Sequence, residues 1–181
     1  VDHARVHHLV IEVVALAGQR PGGVSDSVAS FPVEERADGV YVELPDVAPP
    51  KRTVGEVLVE TLVAFGITHV FGMVGHSNLG FADALRMAEA RGQITYIGIR
   101  HEGAAAFAAS AYGKLTGRPA MCFAIAGPGS TNLLTGLYDA KLDGAPVVAV
   151  SGQVPSAVRG RGAFQDLELS RVFADVAVSS E

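Results

Sequence analysis

The sequence predicts an α/β fold: a doubly wound parallel sheet with helices on both faces, preceded by an N-terminal helix and a linker. Two observations carry that prediction. From Thr53 onward, segments of helical spacing alternate strictly with short apolar runs, and no hairpin signal intervenes; this is the pattern of right-handed βαβ crossovers. Apolar residues make up 49% of the chain against 18% charged, with a mean hydropathy of +0.30, as expected where strands are covered on both faces and read apolar throughout.

The elements follow in order. In residues 1–17, Val6, Leu9, Val10, Val13, Val14 and Ala17 fall on roughly one helical face, which predicts a helix. Residues 18–50 are rich in Gly, Pro, Ser and acids apart from the strand-like Val40–Leu44, and read as a linker. The main domain is expected over 51–181. Thr53-Val54-Gly55-Glu56 is a capping box that opens a helix at Val54–Phe65, stopped by Gly66. A strand at Thr68–Phe71 and a helix at Leu79–Ala90 come next, then a strand at Ile94–Ile99 and an alanine-rich helix at Gly103–Leu115. An apolar strand at Ala120–Ala126, a helix at Thr131–Leu142 and a strand at Val147–Ser151 close the series.

At 181 residues and a net charge of −5, with Lys and Arg scattered, the chain has no basic footprint, and nucleic acid is excluded as a partner. No apolar run approaches the roughly 20 residues of a membrane helix. The single cysteine, Cys122, lies in an apolar run and reads as a small buried hydrophobe; with no intrachain disulfide possible, a cytoplasmic location is expected. His3 and His7 stand one helical turn apart without a third ligand and read as solvated side chains.

In a doubly wound sheet, ligands gather beyond the carboxyl ends of the strands. The loops to inspect are therefore Gly72–Asn78, Arg100–Gly103, Gly127–Thr131 and Ser151–Gln165. The first brings backbone close at Gly75 and offers Ser77 or Asn78 as a helix cap. The second places Glu102 where strand gives way to helix. On spacing alone its commoner role is to stabilise the helix N-terminus. The third, Gly127-Pro128-Gly129-Ser130-Thr131-Asn132, is a glycine-rich bend whose amides can hold an anion or a ring edge, but it matches neither nucleotide-phosphate loop. Taken locally, the glycines can serve only the turns, Asn132 only the backbone and Phe164 only the core.

The order and wording of the motifs say more. Phe71-Gly72-x-x-Gly75, Arg100-His101-Glu102-Gly103-Ala104-Ala105-Ala106, Gly127-Pro128-Gly129-Ser130-Thr131-Asn132-Leu133-Leu134-Thr135-Gly136, Asp139-Ala140-x-x-Asp143-x-x-Pro146 through Gly152-Gln153, and Phe164-Gln165 closely resemble the N-terminal domain of the thiamine diphosphate enzymes of the pyruvate oxidase and acetolactate synthase family. The likeness runs from about Thr53 to the end of the chain, whereas the first fifty or so residues resemble nothing in the family. The resemblance implies that the domain holds the aminopyrimidine ring of thiamine diphosphate at a subunit interface. It also implies that Glu102 hydrogen-bonds ring nitrogen N1′, favouring the imino tautomer that deprotonates thiazolium C2. Gly75, Gly129 and Asn132 match positions that shape the ring pocket, and Phe164-Gln165 matches a pair near the substrate in acetolactate synthases. Val74 stands where a proline is often found, and Asp166 where a glutamate is usual.

No Gly-Asp-Gly motif with a following Asn is present in this sequence. Mg²⁺ and the diphosphate are therefore expected on another domain, and FAD, where the complete enzyme uses it, on a third. The expected partners are a 2-oxo acid such as pyruvate and either further copies, in a dimer or tetramer, or a separate diphosphate-binding subunit. The stretch Leu137–Asp143 leans towards pyruvate oxidases and Gly152-Gln153-Val154-Pro155 towards acetolactate synthases, so the acceptor stays open. Two other readings are a catalytically idle dimerisation or regulatory module of the same fold, against which the intact Glu102 speaks, and a flavodoxin-like binding domain, against which the motif series speaks.

Overall fold

The computed structural model describes residues 11–15, 33–36, 39–42 and 52–180, the first three segments as backbone only. In chain order the elements are β1 Ile11–Ala15, β2 Val33–Arg36, β3 Gly39–Val42, α1 Val54–Ala64, β4 His69–Gly72, α2 Leu79–Ala90, β5 Thr95–Gly98 and α3 Glu102–Thr116. They continue with β6 Ala120–Ala124, α4 Pro128–Thr131, α5 Leu134–Leu142, β7 Val147–Gly152, α6 Leu169–Phe173 and β8 Ser179–Ser180. The main sheet has the order β5-β4-β6-β7-β1-β8. Its first four strands are mutually parallel, so the doubly wound α/β fold is as the alternation predicts.

Strand β6 explains why the alternation had to build a two-faced sheet. All its residues are fully shielded, and they alternate between two cores. Ala120, Cys122 and Ala124 join Ala105, Ala106 and Ala109 of α3, Leu137 and Ala140 of α5, and Leu169 and Phe173 of α6. Met121 and Phe123 join Val59 and Leu62 of α1 and Phe81, Ala84, Leu85 and Ala88 of α2. A period of two with both faces buried leaves no place for a polar residue. Burial pushes the Cys122 thiol up to about 12, so this sulfur is packing material and no nucleophile. The Phe123 ring meets Phe81 edge-on at 5.6 Å and lies over Gly72, where a Cβ would come within 2.2 Å of it. On the other face Ser110 of α3 donates to Asp139 of α5 at 2.7 Å. Lys114 reaches the same carboxylate.

The N-terminal segment departs from expectation. Ile11–Ala15, placed by spacing in a helix over residues 1–17, is a strand that pairs antiparallel with β7, from Ile11 opposite Gly152 to Ala15 opposite Val148, and with β8 on its other side. Ile and Val are β-branched and lose side-chain freedom in a helix. The edge of β7 offers a row of amides and carbonyls for such a segment to pair with. The rest of that expected helix, with His3 and His7, lies outside the described residues. Residues 19–53 form a separate compact unit. Within it β2 and β3 make an antiparallel hairpin where composition suggested a linker. The strand-like stretch from Val40 is in part this β3, and residues 43–44 lie outside the described residues.

Gly136 on α5 sits against α3 so closely that a Cβ would lie 2.6 Å from Ala106 Cβ and from Phe107 N. Backbone cannot yield there as a flexible side chain can. Gly136→Ala is expected to cost about 1–3 kcal/mol and to lower the midpoint of thermal unfolding measured by circular dichroism.

Candidate functional site

The chain leaves β4 to form β5 on one side and later returns to form β6 on the other. Strand order therefore reverses at the carboxyl ends of β4 and β6, where a crevice opens by construction. Two buried or half-buried polar side chains knit its walls. Ser77 Oγ accepts from Ala126 N at 2.9 Å. Asn78 accepts from Gly75 N at 2.9 Å and donates to Met73 O at 3.2 Å. Asn78 stands at the N-cap position of α2 but makes no side-chain cap bond. Instead of capping the helix ahead, as the sequence suggests, it folds the preceding loop.

Between the walls lies Ile125. A Cβ on Gly75 would meet its Cγ2 at 2.4 Å, and one on Gly129 its Cγ1 at 2.5 Å. The two glycines thus make room for one branched apolar side chain, itself half-buried, on the crevice side of β6. Gly127, with φ +67°, turns the chain into α4, and Pro128 starts that helix, as its fixed φ allows. This short helix precedes the expected one, so Gly129 is helical and Asn132 falls at the junction of α4 and α5. Ser130 donates to Ile125 O and meets Ser151 Oγ, which ties the end of β6 to β7.

Glu102 opens α3, yet it does not cap it. His101 occupies the cap position with extended backbone, and its Nδ1 accepts from Gly103 N at 3.1 Å. The Glu102 side chain is turned inward and is only 5% exposed. Asn132 Nδ2 donates to its Oε2 at 3.0 Å. A Cβ on Gly129 would approach Oε1 to 3.0 Å. Among the described residues no hydrogen bond reaches Oε1 and no cation pairs with the acid. A buried carboxylate is costly unless its oxygens have donors, so Oε1 is a place where a ligand N–H or O–H would be favoured. Asn132 is more than a local backbone contact, because it spans from the α4–α5 junction to the start of α3.

Gly75 and Gly129 thus meet at Ile125, and Glu102 with Asn132 lies beside Gly129. Phe164 and Gln165 arrive differently. Gln165 has φ +67° and packs its backbone on Gly127, where a Cβ would meet Gln165 Cα and Cβ at 2.8 Å. Phe164 is 87% exposed, which removes the reading of it as plain core. Sequence reasoning missed Ile125, and it left Ser77, Asn78, Ser130 and Ser151 without these roles. The one signal for Ile125 was its position at the end of an apolar strand facing two glycine-rich loops. Among the described residues no three His, Cys, Asp or Glu side chains cluster as metal ligands, and no helix is long and apolar enough to cross a membrane.

The family model for the N-terminal TPP binding domain of thiamine pyrophosphate enzymes matches residues 52–172. The chain belongs to the thiamine pyrophosphate enzyme family. Thiamine pyrophosphate and thiamine diphosphate are one compound. This thiamine pyrophosphate enzyme domain is 49% identical over 127 residues to a putative thiamine pyrophosphate-containing protein, YdaP, of Bacillus subtilis, covering 70% of this chain and 22% of that one. It is 44% identical over 120 residues to an acetolactate synthase of Arthrospira platensis, with 66% and 21% covered. It is 42% identical over 123 residues to a pyruvate oxidase of Lactiplantibacillus plantarum, with 68% and 20% covered. The chain spans about a fifth of the length of each of these relatives.

Asn132→Ala leaves Glu102 Oε2 without its donor inside the domain, and the cost expected is about 1–3 kcal/mol. Asn132→Asp places a second acid there and should destabilise more at neutral pH. Denaturant midpoints of the two variants against wild type check the order.

Proposed function

We propose that this chain supplies the aminopyrimidine-binding half of a thiamine diphosphate-dependent enzyme that decarboxylates a 2-oxo acid, with pyruvate as the expected substrate, and passes what remains to an acceptor. The observation that carries the reading is the buried Glu102, one oxygen held by Asn132 and the other without a donor among the described residues. A ring nitrogen able to share a proton is the chemical group that fits such an oxygen. The acetolactate synthase and pyruvate oxidase among the relatives support the reaction class.

In this reading each residue has a physical task. Glu102 Oε1 meets ring nitrogen N1′ and gives and takes a proton there, as general acid–base catalysis requires. Asn132 holds the other oxygen, so the acid cannot rotate away from the ring. Gly75 and Gly129 let Ile125 rise between the loops as an apolar support for the ring, and Gly129 leaves Oε1 uncovered. Phe164 and Gln165 face the substrate. When bound, the cofactor supplies the carbanion chemistry at its thiazolium carbon. Its diphosphate, with Mg²⁺, belongs on a diphosphate-binding domain, either of another copy in a dimer or tetramer or of a separate subunit. FAD enters only if the acceptor chemistry is that of an oxidase.

Two outcomes follow. Isothermal calorimetry on these 181 residues alone is expected to give weak binding of thiamine diphosphate with Mg²⁺, and tight metal-dependent binding would contradict the assignment of the diphosphate elsewhere. In the assembled enzyme Glu102→Gln keeps the size of the side chain and the contact with Asn132 but cannot carry the carboxyl proton. Exchange of the cofactor C2 proton for deuterium should then slow by about 10²–10⁴ while the fold is retained. Unchanged exchange with a lowered melting point would return Glu102 to a purely structural role.

A further inference from the structure

We propose that Gln153 is a positioning residue that sets how Phe164 and Gln165 are held over the start of α4. The inference rests on the reading above that this pair faces substrate. Gln153 follows β7 directly and is 3% exposed, a degree of burial that glutamine rarely reaches. Both ends of its amide are committed to backbone. Oε1 accepts from Val154 N at 2.8 Å, which fixes the residue's own turn. Nε2 donates to Leu167 O at 2.9 Å, across fourteen residues of sequence.

Other ties of this loop lie nearer to solvent. Arg159 pairs with Glu168 at 2.8 Å, the two side chains 35% and 52% exposed, and an ion pair that open to water holds a loop weakly. Arg161 N donates to Asp166 at 3.2 Å, and Asp166 N to Ala163 O at 3.0 Å, closing the turn that contains Phe164 and Gln165. Beyond the loop, Leu169 is fully buried in the core. The bond from Gln153 moves the fixed point from Leu169 to Leu167, two residues from Gln165.

That shift matters because Gln165 is the described non-glycine residue with left-handed backbone, at φ +67°. A side-chain-bearing residue keeps that conformation only where its surroundings hold it. On one side the hold is Gly127, which has no Cβ to collide with Gln165. On the other it is Leu167, anchored by Gln153. The Gln165 side chain makes no hydrogen bond among the described residues, so its own amide does not fix it. A continuous line of contacts therefore runs from β7 through Gln153, Leu167 and Gln165 to Gly127, the residue that turns the chain into α4. Glu102 makes no hydrogen bond with Gln153, Leu167, Gln165 or Gly127; its neighbour in α4 is Gly129.

The experiment uses the enzyme assembled with its diphosphate-binding domain and two variants. Gln153→Met keeps the length without polar atoms. Gln153→Glu keeps the acceptor for Val154 N and presents an oxygen to Leu167 O. Expected for both is a rise of about 3–10-fold in KM for pyruvate, the size of the lost hydrogen bond to Leu167 O that the two variants share, with kcat and C2 proton exchange of thiamine diphosphate within about twofold of wild type; Gln153→Met, which also loses the bond from Val154 N, lies at the upper end. Amide hydrogen exchange should speed up across residues 161–168 while β6 keeps its protection. An unchanged KM in both variants overturns the proposal, and so does a fall in C2 exchange. Equal loss of protection in β6 and in the loop assigns Gln153 to the core and overturns it too. The Glu102→Gln measurement stands apart: unchanged C2 exchange there removes the cofactor reading whatever the loop does.

Discussion

Everything in this domain hangs on a strand that water cannot reach. β6 is shielded along its whole length and is flanked by β4 and β7 in one parallel ladder, so its backbone groups are satisfied and both its faces need helices. α1 and α2 cover one face, α3, α5 and α6 the other. Placing β4 and β6 side by side, while β5 lies outside them, forces the chain to reverse direction across the sheet. The crevice is a consequence of that reversal and needs no residue of its own to create it.

What the crevice contains is set by size. Small residues lie where helices and loops must come close: Gly72 under the Phe123 ring, Gly136 against α3, Gly75 and Gly129 around Ile125. The last two differ in consequence from the first two, because they let a loop from β4 and a helix after β6 close on the same apolar side chain. Glu102 reaches that point from the loop after β5, and its place is free because His101, one residue earlier, already serves the helix amide. The division between a capping histidine and an inward acid cannot be read from spacing, since either residue could cap. It follows from His101 adopting extended backbone and Glu102 the first helical turn.

That contrast marks how much was legible. The parallel core was, because β6 is a short run apolar at every position and the segments around it have helical spacing. The meeting of Gly75, Glu102, Gly129 and Asn132 was legible through the resemblance alone, and the fold brings these four residues to one end of the sheet. Ile11–Ala15 was not, since six apolar residues on one helical face can equally be a β-branched strand when a sheet edge stands ready. α4 was not, because Pro128 after a left-handed Gly127 starts a helix that local apolar periodicity does not announce. The tasks of Asn78, Ser130 and Gln153 were hidden for a different reason: each bonds to atoms that only folding brings near.

Glu102 and Asn132 together make this end of the sheet both rigid and open to a further hydrogen bond. Burying an acid with one donor leaves it, at a cost, short of a partner. Asn132 removes the freedom of Glu102 to relieve that cost by turning towards water. A group that brings its own N–H to Oε1 therefore gains the full benefit of a satisfied buried acid, with no side chain left to reorganise. Preorganisation here is the refusal of the scaffold to supply the last hydrogen bond itself.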